Sequence, residues 1–195
     1  EKPMTLTVED AESLVRHADD TGLTLMVDHV LVYHPAVREL VRLAREGELG
    51  RVQYMYTQRA NLGVVRTEEN ALWSLGVHDV AVALDLFGHS PSRVAATGGS
   101  FLPRERKIED VVFVSMWFPG GELGHLHLSW LDPHKIRKTT VVGSKKMAVL
   151  DDVAPDEKLK VYDKGESHIG KQAIETATAK EIYLNYIDTE WLRRE

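Results

Sequence analysis

The stretch that most constrains this chain is Asn70 to Gly88, NALWSLGVHDVAVALDLFG. Read at a helical period, Leu75, Val82 and Leu86 form one stripe and Val77, Val80, Ala81 and Leu84 flank it, leaving little of the circumference for water. The pattern predicts a buried helix, and a buried helix needs a second layer of structure against it. Gly88 is the expected stop, and Ser74 the expected N-cap, because Gly76 is a poor residue for a helix interior. His78 then falls in the first turn. There, partial burial and the positive end of the helix dipole both disfavour the imidazolium and leave a neutral ring able to accept a proton, as a general base must. A core histidine hydrogen-bonded to backbone fits the same periodicity, and both readings stand at this point.

The layer against this helix is predicted to be a sheet. Arg51 to Leu62 alternates, with Val52, Tyr54 and Tyr56 facing one way and Gln53, Thr57 and Arg59 the other. Ser92–Phe101, Val111–Phe118, Glu122–Trp130, Lys138–Val142, Lys146–Leu150 and Leu159–Tyr162 are also strand-like and separated by turn residues. Pro119-Gly120-Gly121 and Val142-Gly143-Ser144-Lys145 read as tight turns, so the strands are expected to be mostly antiparallel. The fold class is therefore α+β, an open, mainly antiparallel sheet with helices on one face. Its other face is left to meet a partner.

The N-terminal third has a different texture. Thr7 and Asp10 form a helix start, with Leu14, Val15 and Ala18 inward and Gly22 at its end. Leu23 to Val30 is a short apolar run of the kind found in a buried parallel strand, and His34-Pro35 opens a second helix that ends near Gly47. A helix, a strand and a helix are the closing part of an α/β unit. The expected division is residues 1–33 as that remnant and 34–195 as the α+β domain.

Composition narrows the function. The 195 residues carry a formal charge of -6 with no gathered basic stripe, which argues against nucleic acid as a partner. There is no cysteine, hence no thiol metal site. No apolar run approaches the roughly 20 residues of a membrane-spanning helix, so a membrane role is not expected and a cytoplasmic location is. His125 and His127 project to one face of a strand, but no carboxylate or thiol completes a metal set, and no metal is expected.

Several motifs then carry a resemblance. They are Glu1-Lys2-Pro3 ahead of a Thr-Val-Glu-Asp-Ala-Glu helix, a strand ending in His29, Pro35-Ala36-Val37-Arg38, Gly47-Glu48-Leu49-Gly50-Arg51 and Gly76-Val77-His78-Asp79. In this order they resemble the Gfo/Idh/MocA oxidoreductases. Arg59-Ala60-Asn61-Leu62-Gly63, Asn70-Ala71-Leu72-Trp73, Trp130-Leu131-Asp132-Pro133-His134-Lys135 and Val142-Gly143-Ser144-Lys145 are similar to the nucleotide-sugar dehydrogenases of that family, including UDP-N-acetylglucosamine-type enzymes.

The resemblance implies a two-domain enzyme, with residues 1–33 as the end of its Rossmann-type α/β domain, that uses NAD or NADP, oxidises a ring hydroxyl of a small-molecule substrate such as a UDP-sugar, and assembles as a homodimer or homotetramer through its sheet face. No Gly-x-Gly-x-x-Gly occurs in these residues, so the main cofactor site and the closing terminal helices are expected outside them. Glu1 and Lys2 match the cofactor-side motif, and Lys2 with His78 match the catalytic pair. Many members have Asp four residues before that histidine; Ser74 stands there. Arg59, Asn61, Trp73 and Asp79 are the candidate substrate contacts, with a salt bridge, a turn residue and a core tryptophan as the plainer readings of the first three. His134 and Lys135 are expected in a loop. Dehydrogenation of free sugars or inositols, and a non-catalytic binding or assembly role, are the alternatives.

Overall fold

The computed structural model describes residues 1–63, 66–103 and 107–164. Residues 1–162 form one compact unit; the second runs from 163 to 195, and of it only Asp163 and Lys164 are described. The segment 182–195, expected to lead into terminal helices, lies outside the described residues.

Seven strands form a single sheet in the order β2-β3-β4-β1-β5-β6-β7. They are β1 (Val52–Leu62), β2 (Arg93–Gly99), β3 (Val111–Trp117), β4 (Leu123–Ser129), β5 (Leu131–Gly143), β6 (Lys146–Asp151) and β7 (Leu159–Asp163). The antiparallel expectation holds for β2 with β3, β3 with β4, β1 with β5 and β5 with β6. At the centre, β1 and β4 run parallel, because β1 is inserted between two strands that follow one another in sequence.

Among the described residues the α-helices are α1 (Val8–Thr21), α2 (Pro35–Arg45) and α3 (Val77–Phe87). Thr7 caps α1 through its hydroxyl and Gly22 ends it in the left-handed region (φ 67°), as their residue types dictate. Pro35 opens α2, and the Nδ1 of His34 accepts from the Ala36 N–H at 3.2 Å. Val37, Leu40, Val41 and Leu43 then face the sheet side, in one core with Val82 and Leu86 of α3 and Val112, Val114, Leu126 and Leu128 of the sheet. Each such full burial contributes about 1.5–3 kcal/mol relative to exposure.

Three expectations are corrected. Leu23–Val30 forms no strand; its side chains are largely exposed and a short 3-10 turn, Val30–Tyr33, ends it. A parallel strand exists only where neighbours supply its ladder, and no described strand pairs with it. His134 and Lys135 lie in β5, not in a loop. The long helix begins before Ser74. Asn70 is the cap, its Oδ1 accepting from the Trp73 N–H at 3.1 Å, and the chain passes through a π-helical turn at Leu72–Gly76 into α3. Gly76 is tolerated there because a side chain would collide: an added Cβ would lie 2.6 Å from Leu128 Cδ1 and 2.7 Å from Leu72 Cδ1. The glycine permits close approach of the helix to β4 instead of stopping it.

The two sheet faces differ in kind. Val112, Val114 and Met116 point into the core. Tyr54, Tyr56, Phe113, His125 and His127 occupy the opposite face, where Phe113 stacks on His127 at 4.6 Å between centroids.

Candidate active site

The π-helical turn organises the site. A π turn widens the helix and commonly marks a functional position, since it redirects backbone groups that an α-helix keeps to itself. Here the Ser74 carbonyl accepts a bond from Lys2 Nζ at 2.7 Å. Lys2 is therefore half-buried and anchored, not a mobile terminal side chain. His78 follows Ser74 by one helical turn, so the chain brings its two expected catalytic groups together although 76 positions separate them in sequence. Glu1, by contrast, is exposed.

His78 is half-buried, and its Nδ1 is buried without a hydrogen-bond partner among the described residues. Burial is the main force lowering its pKa to about 4, followed by the positive charges of Arg59, Lys2 and Arg137 and by His29. The ring is neutral at pH 7, as expected from the sequence. Burial, the first of the two expected causes, leads; the second differs, because His78 sits a full turn inside the helix and neighbouring cations act in place of the helix end. Asn70, and not Ser74, carries the helix start.

Arg59 and Asp79 are joined in a buried, two-pronged ion pair. Arg59 Nε donates to Asp79 Oδ2 at 2.9 Å and Nη2 to Oδ1 at 3.1 Å. Their side chains are 9% and 2% exposed. This geometry departs from the expectation that both contact substrate, because the guanidinium fork is spent on Asp79. Burial pushes the Asp79 carboxyl above its ordinary range while Arg59 opposes that shift. Asp79 points away from its helix neighbour His78, as adjacent helical positions require.

Asn61 is half-buried at the end of β1, beside Gly63. Trp73 is 40% exposed and is not core. It lies on the wall of a cavity of about 960 Å³ with Leu72, Val77, Val80, Pro3 and His29. The cavity separates the N-terminal segment from the π turn and α3, so the outer side of α3 is apolar and uncovered; Leu84 is 38% exposed. Among the described residues no group of three metal-ligating side chains occurs. His125 faces Ser115 instead, Oγ to Nδ1 at 3.2 Å.

Residues 37–149, more than half of the chain, match the family described as the GFO/IDH/MocA C-terminal domain. The chain belongs to that family. The 2,7-anhydro-N-acetylneuraminate hydratase of Escherichia coli K12 is 26% identical over 140 residues, spanning 65% of this chain and 37% of that protein. The UDP-N-acetylglucosamine 3-dehydrogenase of Acidithiobacillus ferrooxidans is 31% identical over 99 residues, half of this chain and 30% of that protein. A solved structure of that enzyme superposes with a TM-score of 0.70 at 25% identity, over 84% of this chain and 52% of its own. An inositol dehydrogenase homologue from Azotobacter vinelandii, complexed with NADH and myo-inositol, shares the fold with a TM-score of 0.72 at 20% identity, over 86% and 49% of the two chains. The chain thus spans well under half the length of these curated relatives and about half that of the solved structures.

As a Gfo/Idh/MocA chain, it holds two site residues that sequence reasoning passed over. His29 reads in the sequence only as a strand end, yet among the described residues its Nδ1 is buried without a hydrogen-bond partner, and it is the smallest of the named influences that hold the His78 ring neutral. Arg137 is aligned with Arg59 across β1 and β5. Alternation along β5 marks its face, but only the strand register, invisible in sequence, places it beside the helix-side arginine.

Proposed function

We propose that this chain is the substrate-side half of a nicotinamide-dependent oxidoreductase that oxidises a ring hydroxyl of a sugar, with His78 as the base and Lys2 beside it. The observation that carries this reading is the pairing itself: a neutral, partly buried imidazole one turn from an anchored ammonium. His78 is unprotonated at neutral pH and, among the described residues, keeps an unpartnered nitrogen with which to accept a proton. Lys2 supplies the positive charge that favours an alkoxide over an alcohol and positions the hydroxyl for proton removal. NAD or NADP, when bound, supplies the hydride acceptor.

These residues fit only one end of such a cofactor. Lys2 and His78 suit the nicotinamide and the reacting hydroxyl, with Glu1 adjacent, whereas no glycine-rich phosphate turn occurs in the sequence. Residues 1–33 accordingly read as the end of a dinucleotide-binding domain and 34–195 as the substrate and assembly domain. Asn61 and Trp73 are the remaining direct substrate contacts, Trp73 through stacking on a ring. Arg59 and Asp79 support the site from beneath.

The substrate is read as a nucleotide sugar of the UDP type, supported by the likeness to the UDP-N-acetylglucosamine 3-dehydrogenase. A free sugar is the second reading, favoured by a 30% identity over 105 residues to a D-apiose dehydrogenase. Thermal-shift screening of the full-length protein separates them: stabilisation by UDP-sugars supports the first, and a response to free sugars alone removes it. For the chemistry, His78→Gln and Lys2→Ala in the full-length enzyme are each expected to lower kcat by about 10²-fold or more while cofactor affinity stays near that of the wild type. Normal turnover in both variants would contradict the mechanism.

The exposed sheet face supports assembly into a homodimer or homotetramer. Tyr54, Tyr56, Phe113 and Leu123 are exposed there in adjoining rows, an arrangement suited to self-association across a two-fold axis.

A further inference from the structure

The active-site reading leaves one charge unaccounted for. Arg59 and Arg137 are directly opposed across β1 and β5, a pairing of like charges that a sheet tolerates only when each is compensated. Compensation is unequal. Arg59 is buried and bound twice by Asp79 at 2.9 and 3.1 Å. Arg137 is 42% exposed, and its ion pair among the described residues is a single long approach of Nη1 to Asp152 Oδ2 at 3.6 Å.

Asp152 is itself divided. His34 Nε2 lies 3.9 Å and Lys158 Nζ 4.0 Å from its other oxygen. One carboxylate is thus shared among three basic groups, and the guanidinium fork of Arg137 keeps most of its donors for another acceptor. On the other side of the site Lys2 is held in place by a backbone carbonyl, which fixes its position without neutralising its charge.

We infer that Arg137, together with Lys2, forms an anion-binding subsite beside His78, which takes a carboxylate or phosphate group of the substrate. The inference rests on the proposed site around His78 and Lys2 and narrows its substrate to an anionic molecule. Arg59, Lys2, Arg137 and His29 all depress the basicity of His78. Asp79 compensates Arg59 closely, whereas Arg137 has the long approach of Asp152 and Lys2 is held by a backbone carbonyl, so positive charge is left over on the Arg137 and Lys2 side. A site so charged is costly until an anion enters it, and a planar guanidinium with free donors matches carboxylate or phosphate oxygens in pairs. Bound there, the anion would also relieve the repulsion that holds His78 at low basicity. Binding and proton acceptance are thereby coupled, because the ring becomes a stronger base when the substrate is present.

The test measures binding, not turnover, on the 195-residue chain. UDP presents phosphate, glucuronate presents carboxylate, and myo-inositol serves as the neutral control; calorimetry gives affinity and NMR of the His78 ring reports location. At least one anion is expected to bind and shift the His78 resonances, with Arg137→Gln weakening it about tenfold or more and Arg137→Lys less, since Lys lacks the fork. The responding arm identifies the group, phosphate or carboxylate. Asp152→Asn, which frees Arg137, is expected to tighten binding and keeps the test decisive should Arg137→Gln fail to fold.

Equal binding by Arg137→Gln and wild type, no binding of either anion, or binding that leaves His78 unmoved would each overturn the subsite. The two readings fail separately. A full-length dehydrogenase indifferent to Arg137 would spare the catalytic assignment, whereas Arg137-dependent anion binding without dehydrogenase activity would spare the subsite.

Discussion

The two faces of the central sheet are made by the same strands and follow opposite rules. On the helix side, β1 contributes Met55, Thr57 and Arg59, buried to between 1% and 8% exposure, and β3 contributes Val112, Val114 and Met116. On the open side the same strands present Tyr54, Tyr56 and Phe113, each about 40% exposed or more. Aromatic bulk, which ordinarily marks the interior, lies outside, and a charged arginine lies inside. Hydrophobicity alone therefore does not say which face is the core. The difference is one of partners: the inner arginine has a carboxylate from α3 within 3 Å, while Tyr54 and Tyr56 stack on each other and Phe113 stacks on His125 and His127.

The largest effect is expected where that inner pairing is broken from one side. Arg59→Leu leaves the Asp79 carboxyl buried without its partner, and loss of about 3–5 kcal/mol of stability is expected in chemical denaturation. Replacing both, Arg59→Leu with Asp79→Leu, should recover much of it, since what costs most is an isolated buried charge and not the absence of an ion pair. A double variant as unstable as the single would show that the pair contributes through something other than mutual compensation.

The outer face should respond in the reverse manner. His127→Glu adds a charge beside exposed Phe113, where monomer stability should move by no more than about 0.5 kcal/mol, yet sheet-to-sheet association should be abolished. Light scattering at tens of micromolar checks this. A wild-type monomer, or an oligomer unaffected by the substitution, would separate the aromatic face from assembly.

How far these features were legible depends on how local their causes are. Strands β1 to β4, β6, β7 and the second half of β5 are legible because alternation and turn residues such as Pro119-Gly120-Gly121 act within a few positions, Gly121 taking φ 89° in that turn; the first half of β5, with His134 and Lys135, reads as a loop. The parallel contact of β1 with β4 is not legible, since it joins segments about 70 positions apart. Asn70 is a good cap by residue type, but Gly76 reads in the sequence as a poor helix-interior residue, whereas in the fold it allows close packing on Leu128. No local pattern announces a π turn. His78 was legible as a neutral ring; Arg59 was legible as important, but its fork was assigned to a ligand because its partner Asp79, 20 positions on, appeared only with the fold. Leu23–Val30 carries a strand's composition, yet the ladder it needs is not supplied by any described strand.

Burial and surrounding cations hold His78 neutral, and titration of its ring is the decisive observation. With the folded-state pKa below the ordinary value of about 6.5, the unfolded chain takes up the proton first as pH falls. Stability present above pH 6.5 should therefore decline between there and about pH 4, and His78→Gln should flatten that part of the profile. Site-resolved NMR of the His78 ring in the 195-residue chain is the measurement. The account predicts a midpoint of about 4 that rises when Arg137 is replaced by Gln; a midpoint at the ordinary histidine value, unmoved by that replacement, would contradict it.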